Sequence, residues 1–148
     1  MIFEAVIPKE AGVLAAIHAS AFSDAWGANE IAAVMRGSGA FGFAARQAGE
    51  TTGFVLCRAI ADEAEILTLA TSPAHRRRGV ARGLLETAMK SAETGDVAKF
   101  FLEVAEDNLP AIALYQGCGF RRVGARAGYY SRPGGAIAAL VMRRDLNR

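Results

Sequence analysis

One junction constrains this fold more than any other segment of the sequence. Glu65–Thr71 (EILTLAT) has the content of a strand and is closed by Ser72-Pro73. From about Val80 to Ala92, Ala81, Leu84, Leu85, Ala88 and Ala92 recur at helical spacing. Arg82, Glu86 and Lys90 ladder at i, i+4 on the other side. Between strand and helix stands His75-Arg76-Arg77-Arg78-Gly79. A strand that enters a helix through a short basic loop gathers backbone N–H groups at the positive end of the helix dipole, which suits a phosphate. Gly79 and Ala81 keep bulky side chains away from that point. The spelling excludes two other phosphate folds. No Gly-Lys-Ser/Thr follows, as a P-loop needs, and Gly79-x-Ala81-x-Gly83 does not fit the dinucleotide fingerprint. A solvated basic turn that merely caps the helix also suits three arginines, so the junction alone leaves both readings open.

The flanking segments fill in an α/β (α+β) pattern. Met1–Ile7 reads as an opening strand, and Pro8 starts a helix with Val13, Leu14, Ile17 and Ala21 on one face. Ser23 or Asp24 can cap a second helix that runs to about Arg36 and stops at Gly37. Strands near Ala40–Gln47 and Gly53–Ile60 flank a hairpin loop at Ala48–Thr52. Another strand covers Ala98–Ala105. Asn108 then caps a helix with Pro110 in its first turn, which carries Ala111, Leu114, Tyr115 and Cys118 on one face and ends at Gly119. Phe120–Gly124 and Ala138–Arg143 read as closing strands joined by a Gly- and Tyr-containing loop. The expected architecture is a mixed central sheet flanked by helices, in one domain spanning 1–148.

Composition narrows the function classes. Seventeen Lys and Arg against fifteen Asp and Glu leave a net charge of +2, which argues against a dedicated polyanion binder. The arginines at 76–78, 121, 122, 143 and 144 lack interleaved aromatics, so direct nucleic-acid binding is not expected. No apolar run reaches the roughly 20 residues of a membrane-spanning helix. Pro8, Lys9 and Glu10 interrupt the N-terminus too early for a secretory leader, so a cytoplasmic location is expected. Cys57 and Cys118 are too few for a disulfide framework, and no Cys/His cluster has metal spacing, so no metal is expected. A weak homodimer is compatible with the sequence.

Two motifs settle the choice at the basic junction. Arg76-x-x-Gly79-x-Ala81 resembles the pyrophosphate-binding motif of the GNAT acetyltransferase superfamily, (Gln/Arg)-x-x-Gly-x-(Gly/Ala). Asn108-x-x-Ala111-x-x-Leu114-Tyr115-x-x-x-Gly119-Phe120 resembles its second motif. Phe101-Leu102-Glu103-Val104 and Arg126-Ala-Gly-Tyr129-Tyr130 look, more narrowly, like the bacterial ribosomal-protein-alanine N-acetyltransferases. Ala138 departs from that pattern, where an acidic residue usually precedes the last strand's Ala-x-x-Met.

The resemblance implies acetyl-CoA as donor and the N-terminal α-amine of a ribosomal or other protein as acceptor. The donor would contact Leu69, Ala70, Thr71, Arg76, Arg77, Arg78, Gly79, Val80, Ala81, Arg82 and Asn108. Glu103 is the expected general base, and its apolar neighbours Phe100, Phe101, Leu102 and Val104 suggest an environment that strengthens it. Tyr115 is the expected general acid towards the leaving thiolate. Phe22, Trp26, Tyr129 and Tyr130 are expected to line the acceptor groove, although Trp26 suits a core position equally. Cys118 reads as core, and neither His18 nor His75 is needed as a base. The main rival keeps the donor and replaces the peptide by a small amine such as a polyamine, amino acid or antibiotic. A catalytically silent acyl-CoA sensor is disfavoured by the presence of both Glu103 and Tyr115.

Overall fold

A computed structural model describes residues 1–146; Asn147 and Arg148 of the expected span lie outside the described residues. The strands are β1 (Ile2–Ala5), β2 (Ala40–Gln47), β3 (Glu50–Ile60), β4 (Glu63–Thr71), β5 (Lys99–Ala105), β6 (Arg121–Tyr130) and β7 (Ile137–Asp145). The α-helices are α1 (Ala11–Ala21), α2 (Ala28–Met35), α3 (Val80–Thr94) and α4 (Leu109–Gly117). All seven strands join one sheet in the order β1-β2-β3-β4-β5-β7-β6. Only β4 and β5 run parallel; every other neighbour pair is antiparallel. This is the mixed sheet that the sequence pattern implies.

Helices cover both faces. On one, α3 buries Val80, Leu84, Leu85, Ala88, Met89 and Ala92 against Phe100, Leu102, Val104, Phe120 and Met142. Each fully buried Val, Leu, Met or Phe among these contributes about 1.5–3 kcal/mol relative to exposure. On the other, Leu14 and Ile17 of α1 and Ile31 of α2 pack on Ala44, Phe54, Leu56 and Ala70. The face of β5 and β7 that carries Glu103 and Val141 borders an open groove instead.

Four boundaries differ from the sequence expectation. The β2–β3 hairpin turns on Ala48-Gly49 alone, at φ +51° and +81°, so Glu50–Thr52 belong to β3. A register shift at Ala45/Arg46 absorbs the change. The cap of α2 is Gly27, whose N–H is accepted by Glu30 Oε1 at 3.2 Å, rather than Ser23 or Asp24. Strand β4 begins at Glu63, directly after a tight turn at Ala61, φ +56°. Strand β6 continues to Tyr130, through a segment expected to be loop. It is an edge strand exposed along nearly its whole length, so it shows no apolar alternation.

Candidate active site

The site begins where β4 and β5 part. They pair only over Glu63–Glu65 and Lys99–Phe101. Beyond that, β4 stays with β3 as far as Thr71, while β5 stays paired with β7 as far as Ala105. Each strand is held by its outer neighbour, so a gap opens between them. The resulting cavity, about 760 Å³, has Ile66–Leu69 on one wall and Leu102–Ala105 on the other. Phe22, Asn108, Tyr115, Tyr129 and Tyr130 also line it. Ser72 donates its N–H to Thr52 O on β3 at 2.9 Å. By the alternation of an antiparallel pair, Ala70 also turns its peptide groups to β3, whereas Leu69 and Thr71 turn theirs to the gap. Ala70 therefore offers no free amide there, contrary to expectation.

An anion cradle lies past the end of β4. Arg77 and Gly79 adopt positive φ, +64° and +80°. The backbone N–H groups of Arg77 and of residues 79–82 meet no acceptor among the described residues, Arg78 N–H closing the turn over Arg76 and Arg77; the ladder of α3 starts with Gly83 N–H to Gly79 O. Five free amides at the start of a 15-residue helix, beside the exposed Arg76, Arg77 and Arg78, fit a pyrophosphate. A Cβ added at Gly79 would meet nothing within 4 Å, so the space in front of it is open. Val80 is buried and contributes only its backbone. Arg82 differs from expectation in its side chain, which donates to Gly117 O of α4 at 3.1 Å and lies 3.8 Å from Glu86.

Asn108 serves two ends at once. Its Oδ1 accepts the Ala111 N–H at 3.2 Å to cap α4, and it borders the cavity. The cap aims the next turn so that Tyr115 reaches the same cavity. There the Tyr115 ring packs edge-on against Phe120 at 6.1 Å. Burial pushes its hydroxyl up to about 12, with smaller contributions from Tyr130 and Cys118. Cys118 is buried in the main core, as expected.

Glu103 is on the opposite wall, with its side chain 30% exposed. Its surroundings are only in part the apolar ones expected from its sequence neighbours: Phe101 shares its groove, with Val141 opposite. Phe100, Leu102 and Val104 point to the α3 side of the sheet, and on its own face Arg126 Nε stands 2.9 Å from Glu103 Oε1. Tyr129 and Tyr130 meet edge-to-face at 5.1 Å and close the β6–β7 end. Arg132 holds that end to the β5–α4 turn through two hydrogen bonds to Asp107, at 2.8 and 3.1 Å. The Arg132 hydrogen bond holds the Asp107 carboxyl below its usual value. This pair anchors the loop between β6 and β7.

Trp26 does not join Phe22 on the cavity wall. Its ring stacks on His18 at 5.1 Å, and its backbone N–H donates to His18 Nδ1 at 3.0 Å. His18 Nε2 lies 3.0 Å from Thr68 Oγ1, a residue that also lines the cavity. Because Nδ1 must accept from a backbone N–H, the proton of the neutral ring is on Nε2. Burial lowers the His18 pKa, and Glu30 opposes that shift. His18 thus ties the α1–α2 connection to β4. Sequence reasoning misses Arg126, His18, Thr68, Asp107 and Arg132 as site residues. Their partners are 23 to 50 residues away for the ion pairs and the His18–Thr68 contact, and no local spacing announces them.

A phosphate cradle feeding a cavity between splayed strands, with a carboxylate and a phenol on its walls, defines an acyl transferase that draws on a coenzyme A thioester. The model of the Acetyltransferase (GNAT) family matches residues 13–120, and the chain belongs to that family. It is an acetyl-CoA-dependent N-acetyltransferase. Over 100 residues it is 35% identical to the ribosomal protein bS18-alanine N-acetyltransferase of Escherichia coli, covering 68% of each chain. Identity to the N-alpha-acetyltransferase RimI of Mycobacterium tuberculosis is 42% over 105 residues, 68% of this chain and 63% of that one. The crystal structure of the ribosomal-protein-S18-alanine N-acetyltransferase from Escherichia coli superposes with a TM-score of 0.93 at 27% identity, over 99% of this chain and 94% of that one. No helix among the described residues is long and apolar enough to cross a membrane.

Proposed function

We propose that the chain transfers the acetyl group of acetyl-CoA to the α-amine of a protein N-terminus, the acceptor being the N-terminal alanine of a small-subunit ribosomal protein. The observation that carries this reading is that Glu103, Tyr115 and the Tyr129–Tyr130 wall share one cavity at the splay of β4 and β5. The names of the relatives in Escherichia coli support the acceptor. Acting on a ribosomal protein places the work in the cytoplasm.

Each step follows from what these groups can do. The free amides of Arg77 and of residues 79–82, with Arg76–Arg78, hold the pyrophosphate, and Asn108 borders the pantetheine path. Leu69 and Thr71 present peptide N–H groups to the gap, where fixed donors stabilise an oxyanion without reorganising. An α-amine with a reference pKa of about 7.7–8.0 is largely protonated at neutral pH and needs a base. Glu103 takes that proton, directly or through one water, and the amine attacks the thioester within the ternary complex. Tyr115 donates a hydrogen bond from its hydroxyl to the departing sulfur, and the coenzyme A thiolate takes its proton from solvent as it leaves. No acyl-enzyme is needed, in keeping with the burial of Cys118.

Steady-state kinetics of Glu103→Gln test the assignment. Turnover should fall most near and below the amine's pKa and recover in part at higher pH, where free amine is plentiful. Full activity across the pH range would remove Glu103 from the role.

A further inference from the structure

The base does not stand free. Arg126 is on β6, two strands from Glu103 on β5, and its ion pair with Glu103 crosses β7. The crossing is sterically specific. Arg126 is in register with Ala139, and Glu103 with Val141, on the same face of β7. The small side chain of Ala139 is the cross-strand neighbour of the arginine stem. The guanidinium ends with Nε 2.9 Å from Glu103 Oε1 and its carbon 5.7 Å from the centre of the Tyr129 ring.

Two features make the contact displaceable. The Arg126 side chain is 60% exposed, and Glu103 is its one ion-pair partner among the described residues. Immediately after it the register jumps from Arg126↔Ala139 to Tyr130↔Ile137, so residues 127–129 arch off the sheet, with Gly128 at φ +63°. A bulge of this kind re-aims the side chains at its edge.

An amine that gives its proton to Glu103, or the one water that relays it, comes within about 2.6–3.2 Å of a carboxylate oxygen. The guanidinium already occupies such a position. We propose that Arg126 is a substrate-displaced latch: it stands in for the acceptor's ammonium on Glu103 and swings out towards solvent when the peptide N-terminus enters. The inference rests on the reading of Glu103 as the group that receives the acceptor amine. Latch and acceptor compete for one oxygen, so the apparent affinity for the acceptor is reduced by the fraction of molecules in which the latch is closed. For a partly exposed pair, that reduction is about two- to sixfold.

The test is the kinetics of Arg126→Gln with an Ala-initiated peptide and acetyl-CoA. The peptide KM should fall about two- to sixfold, kcat should change less than KM, and acetyl-CoA affinity should stay the same. Arg126→Lys should keep the wild-type KM, because an ammonium can take the same place. In Arg126→Ala, added ethylguanidinium should inhibit competitively against the peptide by refilling the vacated position. A peptide KM that is unchanged or raised in Arg126→Gln overturns the latch and makes Arg126 a structural or peptide-holding residue. The Glu103→Gln background separates this from failure of the base. Full activity in Glu103→Gln refutes the base, whereas an equal fall in KM from Arg126→Gln with and without Glu103 refutes the latch alone.

Discussion

Replacing Tyr115 by Phe removes a single oxygen from the cavity wall and leaves the ring on Phe120. The size of the effect follows from the hydroxyl's surroundings. Burial raises it to about 12, while a free thiol titrates near 8.5. Burial makes this phenol a weaker acid than a free one. Tyr115 helps chiefly as a hydrogen-bond donor to charge growing on sulfur, an interaction of about 1.5–3 kcal/mol for a charged partner. That corresponds to a loss of about 10- to 150-fold in kcat for Tyr115→Phe. Because the charge exists only as the C–S bond breaks, kcat and kcat/KM should fall together, with acetyl-CoA affinity unchanged. A phenol at about 12 stays protonated through the working range, so variant and wild-type pH profiles should run parallel from about pH 6 to 10. Stopped-time assays of free coenzyme A across that range measure both quantities. A wild-type basic limb near pH 9 to 10 that vanishes in Tyr115→Phe would refute the reasoning, as would an unchanged kcat.

Gly79→Leu and Gly49→Leu form a matched pair, since both glycines have φ near +80° and open space around a Cβ. Each substitution should cost about 1–2 kcal/mol of stability by denaturant melts, but only Gly79→Leu should lose acetyl-CoA binding by calorimetry. Equal affinity in the two variants would move the phosphates elsewhere. His18 is held neutral with its pKa lowered, so acidification through about 6.5 protonates the unfolded chain first and stability falls. The melting temperature of His18→Gln should depend less on pH between about 7.5 and 5 than that of the wild type; parallel slopes would contradict this. The Arg132 tie on Asp107 is present above the usual carboxylate range and lost as pH falls through the lowered value. Asp107→Asn should accordingly speed amide exchange of residues 131–136 at neutral pH.

The features legible in the sequence are those with short-range causes. The cradle and α3 follow from a strand, a glycine and an amphipathic stripe within thirty residues, and the Asn108 cap places Tyr115 through helical spacing. Ala70 was expected among the amide donors because strand parity depends on which neighbour Ser72 bonds. Trp26 is drawn from the groove by His18, and the same contact leaves Ser23 and Asp24 in the connection rather than at the head of α2. The extension of β6 was hidden because an exposed edge strand with Gly124 and Gly128 carries no alternation. Glu103 was singled out in the sequence, but its partner was not: the Arg126 contact crosses β7, which inserts between β5 and β6.

The identity of the acceptor nitrogen can be read directly. The enzyme is incubated with acetyl-CoA and a peptide that begins with Ala and carries an internal Lys, with spermidine as competitor, and the products are located by tandem mass spectrometry. A cavity that holds Glu103 opposite Tyr115 and is closed by Tyr129 and Tyr130 predicts one acetyl group on the α-nitrogen of Ala, with kcat/KM well above that for spermidine or the Lys side chain. Acetyl on spermidine or on the Lys ε-nitrogen, with the α-amine untouched, would contradict N-terminal acetylation and assign the cavity to another class of amine.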